Sequence, residues 1–271
     1  MISPLVDAWR ARRRRALAGV AVVCALVLGA CSGGSDQRPT LGGADSGTTS
    51  EGSASESTTT TKPPFTSTLA TAAVPDVPVY DAPGAASPSR SYQNPWHVND
   101  DPSEPTVPLV FLVEETRDDG WVRVLLPERP NGTSGWVRAG DFTFADTQYH
   151  ITVELGLHQI TVANGEEVIL QEPVAIGKPS TPTPPGRYYI RVLLQSPDPD
   201  SVYGPFAYGL SAHSDVLTEF NGGDGEVGIH GNNDASVLGQ SVSAGCVRMS
   251  NEGITRLTQL LPLGTPVEIV A

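Results

Sequence analysis

Two short glycine-rich segments carry the residue types best suited to covalent chemistry. They are Val227-Gly228-Ile229-His230-Gly231 and Ser243-Ala244-Gly245-Cys246-Val247-Arg248-Met249, whose cysteine lies sixteen residues after the histidine. A thiolate attacks carbonyl carbon and a thiol barely does, so a cysteine nucleophile needs a base to take its proton. His230 is the candidate base and acid for Cys246. An unperturbed thiol, pKa about 8.5, is mostly protonated at neutral pH; an imidazole within reach removes that proton and returns it to a leaving group. Gly245 permits an otherwise strained turn, so backbone N–H groups of Ala244 to Cys246 can point at a developing oxyanion. The imidazole also needs orienting. Spacing singles out no Asp or Asn for this, although Asn232, Asn233 and Asp234 are near. A backbone carbonyl such as that of Gly231 can accept the Nδ1 proton, and this is the favoured reading.

The other two cysteines belong to processing. Arg10 and Arg12 to Arg15 form a basic stretch before the apolar run Ala16 to Ala30. That run is about fifteen residues, short of the roughly 20 needed to span a bilayer, so residues 1–30 are expected to be a removable export signal. Leu28-Gly29-Ala30-Cys31 resembles the lipobox of bacterial lipoproteins, which implies a lipid on Cys31 and a protein anchored outside the cytoplasm at the membrane, facing the wall. An ordinary signal with a chance cysteine, or an uncleaved anchor, is the alternative. Cys24 then leaves with the signal and Cys246 stands alone, without a disulfide partner.

Loss of residues 1–30 shifts the formal charge from −13 to −17, which excludes the basic footprint of a nucleic-acid binder. From Cys31 to about residue 73 the chain is rich in Gly, Ser, Thr and acids, and it reads as a disordered, lipid-anchored stalk.

The elements that must position the two segments are strands. Residues 74–147 hold short β-type runs at 77–80, 107–113, 121–126 and 134–138, with an unusual Pro-rich insert from Ala82 to Pro108. Gly120-Trp121-Val122-Arg123-Val124 and Gly135-Trp136-Val137-Arg138-Ala139 are near copies around an Asn131-Gly132 turn signal. This part resembles the bacterial SH3-like module, a small β-barrel, and is either a wall-binding domain or a spacer with core tryptophans. Residues 148–271 read as a second β unit. Its strands are expected at 149–153, 158–162, 167–174, 187–194, 206–212, 225–229 and 266–270, with a hairpin at Asn164-Gly165. One helix follows the cysteine, capped by Ser250 or Asn251, with Ile254, Leu257, Leu260 and Leu261 on one face and Pro262 after it. The fold class is therefore mainly β.

Ile229-His230-Gly231-Asn232-Asn233-Asp234, Gly239, and Ser243 to Asn251 resemble the signature of the YkuD-type L,D-transpeptidases. Thr183-Pro184-Pro185-Gly186-Arg187-Tyr188 and Gly204-Pro205-Phe206-Ala207-Tyr208-Gly209-Leu210 extend the likeness across residues 149–271. The chain departs from it at Ala244, where many members have His, and at Asn232, where they have Thr.

The resemblance implies a β-sandwich and a reaction on peptidoglycan stem peptides. Cys246 attacks the third residue of a tetrapeptide stem, D-alanine leaves, and a side-chain amine of a second stem resolves the thioester. It also implies acylation by carbapenems. Ser243 is expected to hydrogen-bond in the pocket, and Arg248 to order the site, meet a substrate carboxylate or form a structural ion pair. Tyr203 and Tyr208 line the donor cleft or belong to the core, and Asn232 is a weaker substrate-binding candidate.

Hydrolysis of the same thioester, as in an L,D-carboxypeptidase, and a non-catalytic wall-binding lipoprotein are the alternatives. A thiol acyl transfer needs no cofactor, and a monomer is expected. His97, His150 and His158 lack zinc-ligand spacing, and Asn221 to Gly225 lacks the acids of a calcium loop and reads as a flexible loop beside the site. His213 can approach the site from the preceding strand, but a surface histidine is the commoner case.

Overall fold

The computed structural model describes residues 64–98, 102–219 and 223–271, all within one compact unit. The expected signal segment, Cys31 and the stalk up to residue 63 lie outside the described residues. Among the described residues the protein is mainly β, with one α-helix and no helix long and apolar enough to cross a membrane.

The first part is a five-stranded antiparallel sheet. Its strands are β1 (Ser67–Ala72), β2 (Val110–Thr116), β3 (Trp121–Leu125), β4 (Ser134–Arg138) and β5 (Phe142–Thr147), in the order β4-β3-β2-β1-β5. β1 corrects the expected stalk, which was drawn to residue 73. Its Ser/Thr/Ala composition resembles a linker, yet it is hydrogen-bonded on both sides, with Leu69 opposite Leu112 and Ala145. Only two adjacent residues of β1, Leu69 and Ala70, are buried, which explains why alternation did not reveal it. The run expected at 107–113 is broken into Thr106–Val107 and β2, because Pro108 has no N–H to continue a ladder. The Pro-rich insert forms two small ribbons, Asp76–Val79 with Arg90–Gln93 and Trp96–His97 with Thr106–Val107. The two Gly-Trp-Val copies pair with each other: Trp121 faces Arg138, whose guanidinium lies 3.8 Å from the indole centre, and Arg123 faces Trp136.

The second part is a curled eight-stranded sheet. Its strands are β6 (Tyr149–Glu154), β7 (Gln159–Asn164), β8 (Glu167–Pro173), β9 (Gly186–Gln195), β10 (Phe206–His213), β11 (Glu226–His230), β12 (Val247–Arg248) and β13 (Pro266–Val270). Their order is β8-β7-β6-β13-β9-β10-β11-β12. β6, β7 and β8 form the meander expected from the Asn164-Gly165 turn, although His158 sits in left-handed backbone and β7 starts one residue later. Alternate residues of these strands, among them Ile151, Ile160, Tyr188, Leu210, Ile229 and Ile269, bury into one core.

The helix α1 (Asn251–Leu257) packs Ile254 and Leu257 onto that core. Ser250 caps it by accepting from the Gly253 N–H at 2.9 Å, and Glu172 of β8 accepts from both the N–H and the hydroxyl of Ser250. The helix ends at Leu257; Leu260 and Leu261, expected on its face, lie in the closing turn and return N–H groups to the Leu257 carbonyl.

Candidate active site

β11 and β12 run parallel, with Ile229 opposite Val247 and His230 opposite Arg248. Ile229, Val247 and Met249 enter the core. The twofold period of extended chain therefore turns Gly228, His230, Cys246 and Arg248 to the other face. Cys246 meets Gly228, whose N–H donates to Sγ at 3.4 Å. A side chain at Gly228 would crowd the Tyr208 carbonyl, with its Cβ at 2.9 Å from that oxygen.

The turn before the cysteine is held from inside and outside. The Ser243 hydroxyl donates to the Cys246 carbonyl at 2.6 Å and accepts from the Gly245 N–H at 3.0 Å. Gly245 has φ +126°, a conformation that side-chain-bearing residues avoid. From outside, the Thr183 hydroxyl donates to the Gly245 carbonyl at 2.8 Å and accepts from the Gly177 N–H at 2.8 Å, while Thr181 donates to the Ser243 carbonyl. These bonds correct one expectation: the N–H of Gly245 is occupied by Ser243 and is not directed at an oxyanion.

His230 is 3% exposed. Its Nδ1 lies 2.6 Å from the Gly231 carbonyl oxygen. A carbonyl only accepts, so Nδ1 carries the proton and the lone pair belongs to Nε2. The Tyr203 ring packs against the imidazole, centroid to centroid 4.9 Å. Gly231 and Gly204 allow the backbones behind them to approach closely: a Cβ on Gly231 would stand 3.2 Å from the Gly204 Cα.

Burial drives the imidazole pKa down to about 4, and the positive charge of Arg248 pushes the same way, against the bond to Gly231. Burial also raises the Cys246 thiol pKa, opposed by the Gly228 N–H and Arg248. Both shifts favour neutral groups, so the resting pair is thiol and neutral imidazole.

The remaining candidates separate clearly. Arg248 is partly buried; among the described residues no carboxylate pairs with it, and its Nε has no hydrogen-bond partner. Tyr208 is fully buried in the core and does not line the cleft. Asn232 is spent on the backbone: Nδ2 donates to the Met249 carbonyl, Oδ1 accepts from the Asp234 N–H, and its own N–H donates to Asn251. Ala244 lines a narrow cleft beside Cys246, whose other walls include Ser214, Leu217, Gly225 and Val227.

His213 is not on the surface. It is 2% exposed, with Nε2 2.9 Å from Asp224. His213, Asp224 and Glu226 bring ligand-type atoms within 4.8 Å of one another, but Arg191 pairs with Glu226 and Arg129 approaches Asp224 at 3.9 Å, so arginines already balance these acids.

Sequence reasoning missed the Gly228 N–H, the bracing role of Thr183, and Arg129 and Asn131, which reach the cleft wall from the first sheet. Thr183 was visible as part of a Thr-Pro motif. The other contacts join residues far apart in the chain and left no local signal.

Residues 148–269 match the family model of the YkuD L,D-transpeptidase catalytic domain. A candidate L,D-transpeptidase, YkuD, of Bacillus licheniformis is 30% identical over 154 residues, covering 54% of this chain and 85% of that protein. Its Bacillus subtilis counterpart is 36% identical over 122 residues, covering 45% of this chain; the chain spans 65% of that relative's length, just under two thirds. L,D-transpeptidase 1 of Mycobacterium tuberculosis is 26% identical over 238 residues, covering 74% of this chain and 90% of that protein. With the His-Gly and Ser-x-Gly-Cys segments joined on one sheet face and this similarity running through the whole second sheet, the chain belongs to the YkuD family of L,D-transpeptidases.

Proposed function

We propose that the protein is a peptidoglycan L,D-transpeptidase with Cys246 as nucleophile and His230 as its base and acid. The observation that carries this reading is the imidazole fixed by its Nδ1–H to the Gly231 carbonyl at the end of β11, the same strand whose Gly228 N–H holds the Cys246 sulfur. Because both groups rest neutral, the thiol proton passes to Nε2 as sulfur attacks the carbonyl carbon of the third stem residue. The tetrahedral oxyanion collapses, the C–N bond to D-alanine breaks, and the imidazolium returns the proton to the departing amine. An acceptor amine then attacks the thioester, gives its proton to His230, and expels the thiolate, which recovers that proton.

Gly228 N–H supports negative charge on sulfur; with the Gly245 N–H bonded to Ser243, the N–H groups of Ala244 and Cys246 serve as the oxyanion donors. Arg248, which no carboxylate pairs among the described residues, meets a carboxylate of the stem. The same nucleophile accounts for acylation by carbapenems. Residues 1–31 act as export signal and lipid attachment point, and the first sheet serves as an SH3-like module that places the enzyme in the wall.

The test is D-alanine release from a tetrapeptide stem together with a thioester on Cys246 by intact mass. The full chain is used, since cutting at residue 71 would remove most of β1. Absence of both products overturns the reading, and D-alanine release without cross-link in the presence of an acceptor amine assigns the protein as a carboxypeptidase.

A further inference from the structure

The cleft beside Cys246 has free space of about 10 Å³, roughly what one water requires. Its walls therefore stand close against the space beside the sulfur. One wall, formed by Ser214, Leu217 and Gly225, is tied across by the Ser214 N–H donating to the Gly225 carbonyl at 2.9 Å. The residues that hold this wall come from the first sheet, on the turn between β3 and β4.

Arg129 Nη2 donates to the carbonyls of Ser214 and Leu217, each at 3.0 Å, and Nη1 lies 3.9 Å from Asp224. Asn131 acts like a short partner strand. Its Nδ2 donates to the His213 carbonyl at 2.7 Å, and its Oδ1 accepts from the His213 N–H at 2.9 Å. Nδ2 also reaches Asp215 at 3.3 Å. The turn itself is closed by Thr133, which donates to the Pro130 carbonyl through its hydroxyl and its N–H. One guanidinium nitrogen donating to two carbonyls, and a carboxamide matched to both backbone polar groups of one residue, are specific pairings that a loose spacer would not need.

We propose that Arg129 and Asn131 are positioning residues for acyl-donor binding: from the first module they fix the Ser214, Leu217 and Gly225 wall of the Cys246 cleft. The proposal rests on the transpeptidase reading. It gives the first sheet a part in substrate binding, through the wall, and no part in the proton transfers at His230.

The test compares wild type, Arg129→Ala, Arg129→Lys and Asn131→Ala in the full chain, with circular dichroism to verify folding. A misplaced wall weakens binding without touching the reacting groups, so KM for the tetrapeptide stem should rise about tenfold in Arg129→Ala with kcat within about twofold. Arg129→Lys should recover part of that loss, and Asn131→Ala should move KM the same way. Iodoacetamide alkylation of Cys246, followed by intact mass, should accelerate about threefold or more as the cleft opens. KM and alkylation rates matching wild type in any folded alanine variant overturn the proposal, as does a loss confined to kcat. If Arg129→Ala fails to fold, Asn131→Ala and Arg129→Lys carry the test. If wild type releases no D-alanine, the transpeptidase reading fails, while the alkylation rates still decide whether these residues set the wall.

Discussion

On the imidazole side of Cys246 the supports come from the loops and helix of the second part itself: the Gly231 carbonyl, the Tyr203 ring, the close approach of Gly204, and the bonds among Asn232, Asn251 and the Met249 carbonyl. On the opposite side, the cleft wall at Ser214 and Leu217 is bonded to Arg129, and its neighbour His213 to Asn131, residues some eighty positions earlier on another sheet. The groups proposed to move protons are thus positioned from within the second part of the chain, whereas in our proposal the passage to them depends on a contact with the first sheet. On that proposal, changes in the first sheet alter access to Cys246 while leaving the immediate surroundings of Cys246 and His230 undisturbed.

Variants can break that division, beginning with its centre. Cys246→Ala should abolish thioester formation and D-alanine release while leaving the circular dichroism spectrum unchanged; residual thioester would place the nucleophile elsewhere. On the imidazole side, His230→Gln should lower the acylation rate by about 10²- to 10⁴-fold, measured by stopped-flow with a carbapenem.

Acidity probes the same side in two ways. With the imidazole pKa near 4, acylation should hold its plateau from neutral pH to about 5 and decline as pH nears 4; a decline already centred at about 6.5, the ordinary histidine value, contradicts the burial argument. Stability follows in sign. The unfolded chain protonates His230 near pH 6.5 and the folded one only near 4, so the contribution is complete above 6.5 and is lost as pH falls between these values. That loss is on the order of 3 kcal/mol for this group. Urea unfolding at pH 7 and pH 4 should therefore show a smaller acid-induced loss in His230→Gln than in wild type.

The smallest effect belongs to the brace beneath the cysteine turn. Thr183→Val removes the bonds to the Gly245 carbonyl and Gly177 N–H, and should cost about 1–3 kcal/mol of stability in denaturant unfolding.

How far the sequence revealed these features depended on range. Strict alternation around Asn164-Gly165 marks the β6-β7-β8 meander, and Ser250 before Ile254 and Leu257 marks the helix start, because each signal lies within a dozen residues. β1 escaped notice because its stability comes from ladders to two strands distant in sequence, with only Leu69 and Ala70 contributing buried side chains. At the site, His230 and Cys246 stand out from residue type and spacing, and the structure brings their segments together as neighbouring parallel strands. The occupation of the Gly245 N–H by Ser243, the spent amide of Asn232 and the burial of Tyr208 were not legible, since each depends on which face a residue presents after the sheet has closed.

β13 lies between β6, which it joins in parallel, and β9, which it joins antiparallel. Residues 266–270 thus occupy the middle of a sheet whose other strands are all made before them. During synthesis β6 and β9 have no shared neighbour until those residues emerge, and an early stop codon before Pro266 would split the sheet instead of trimming its edge. The order of translation therefore delays assembly of the second sheet until residues 266–270 arrive to join its two halves.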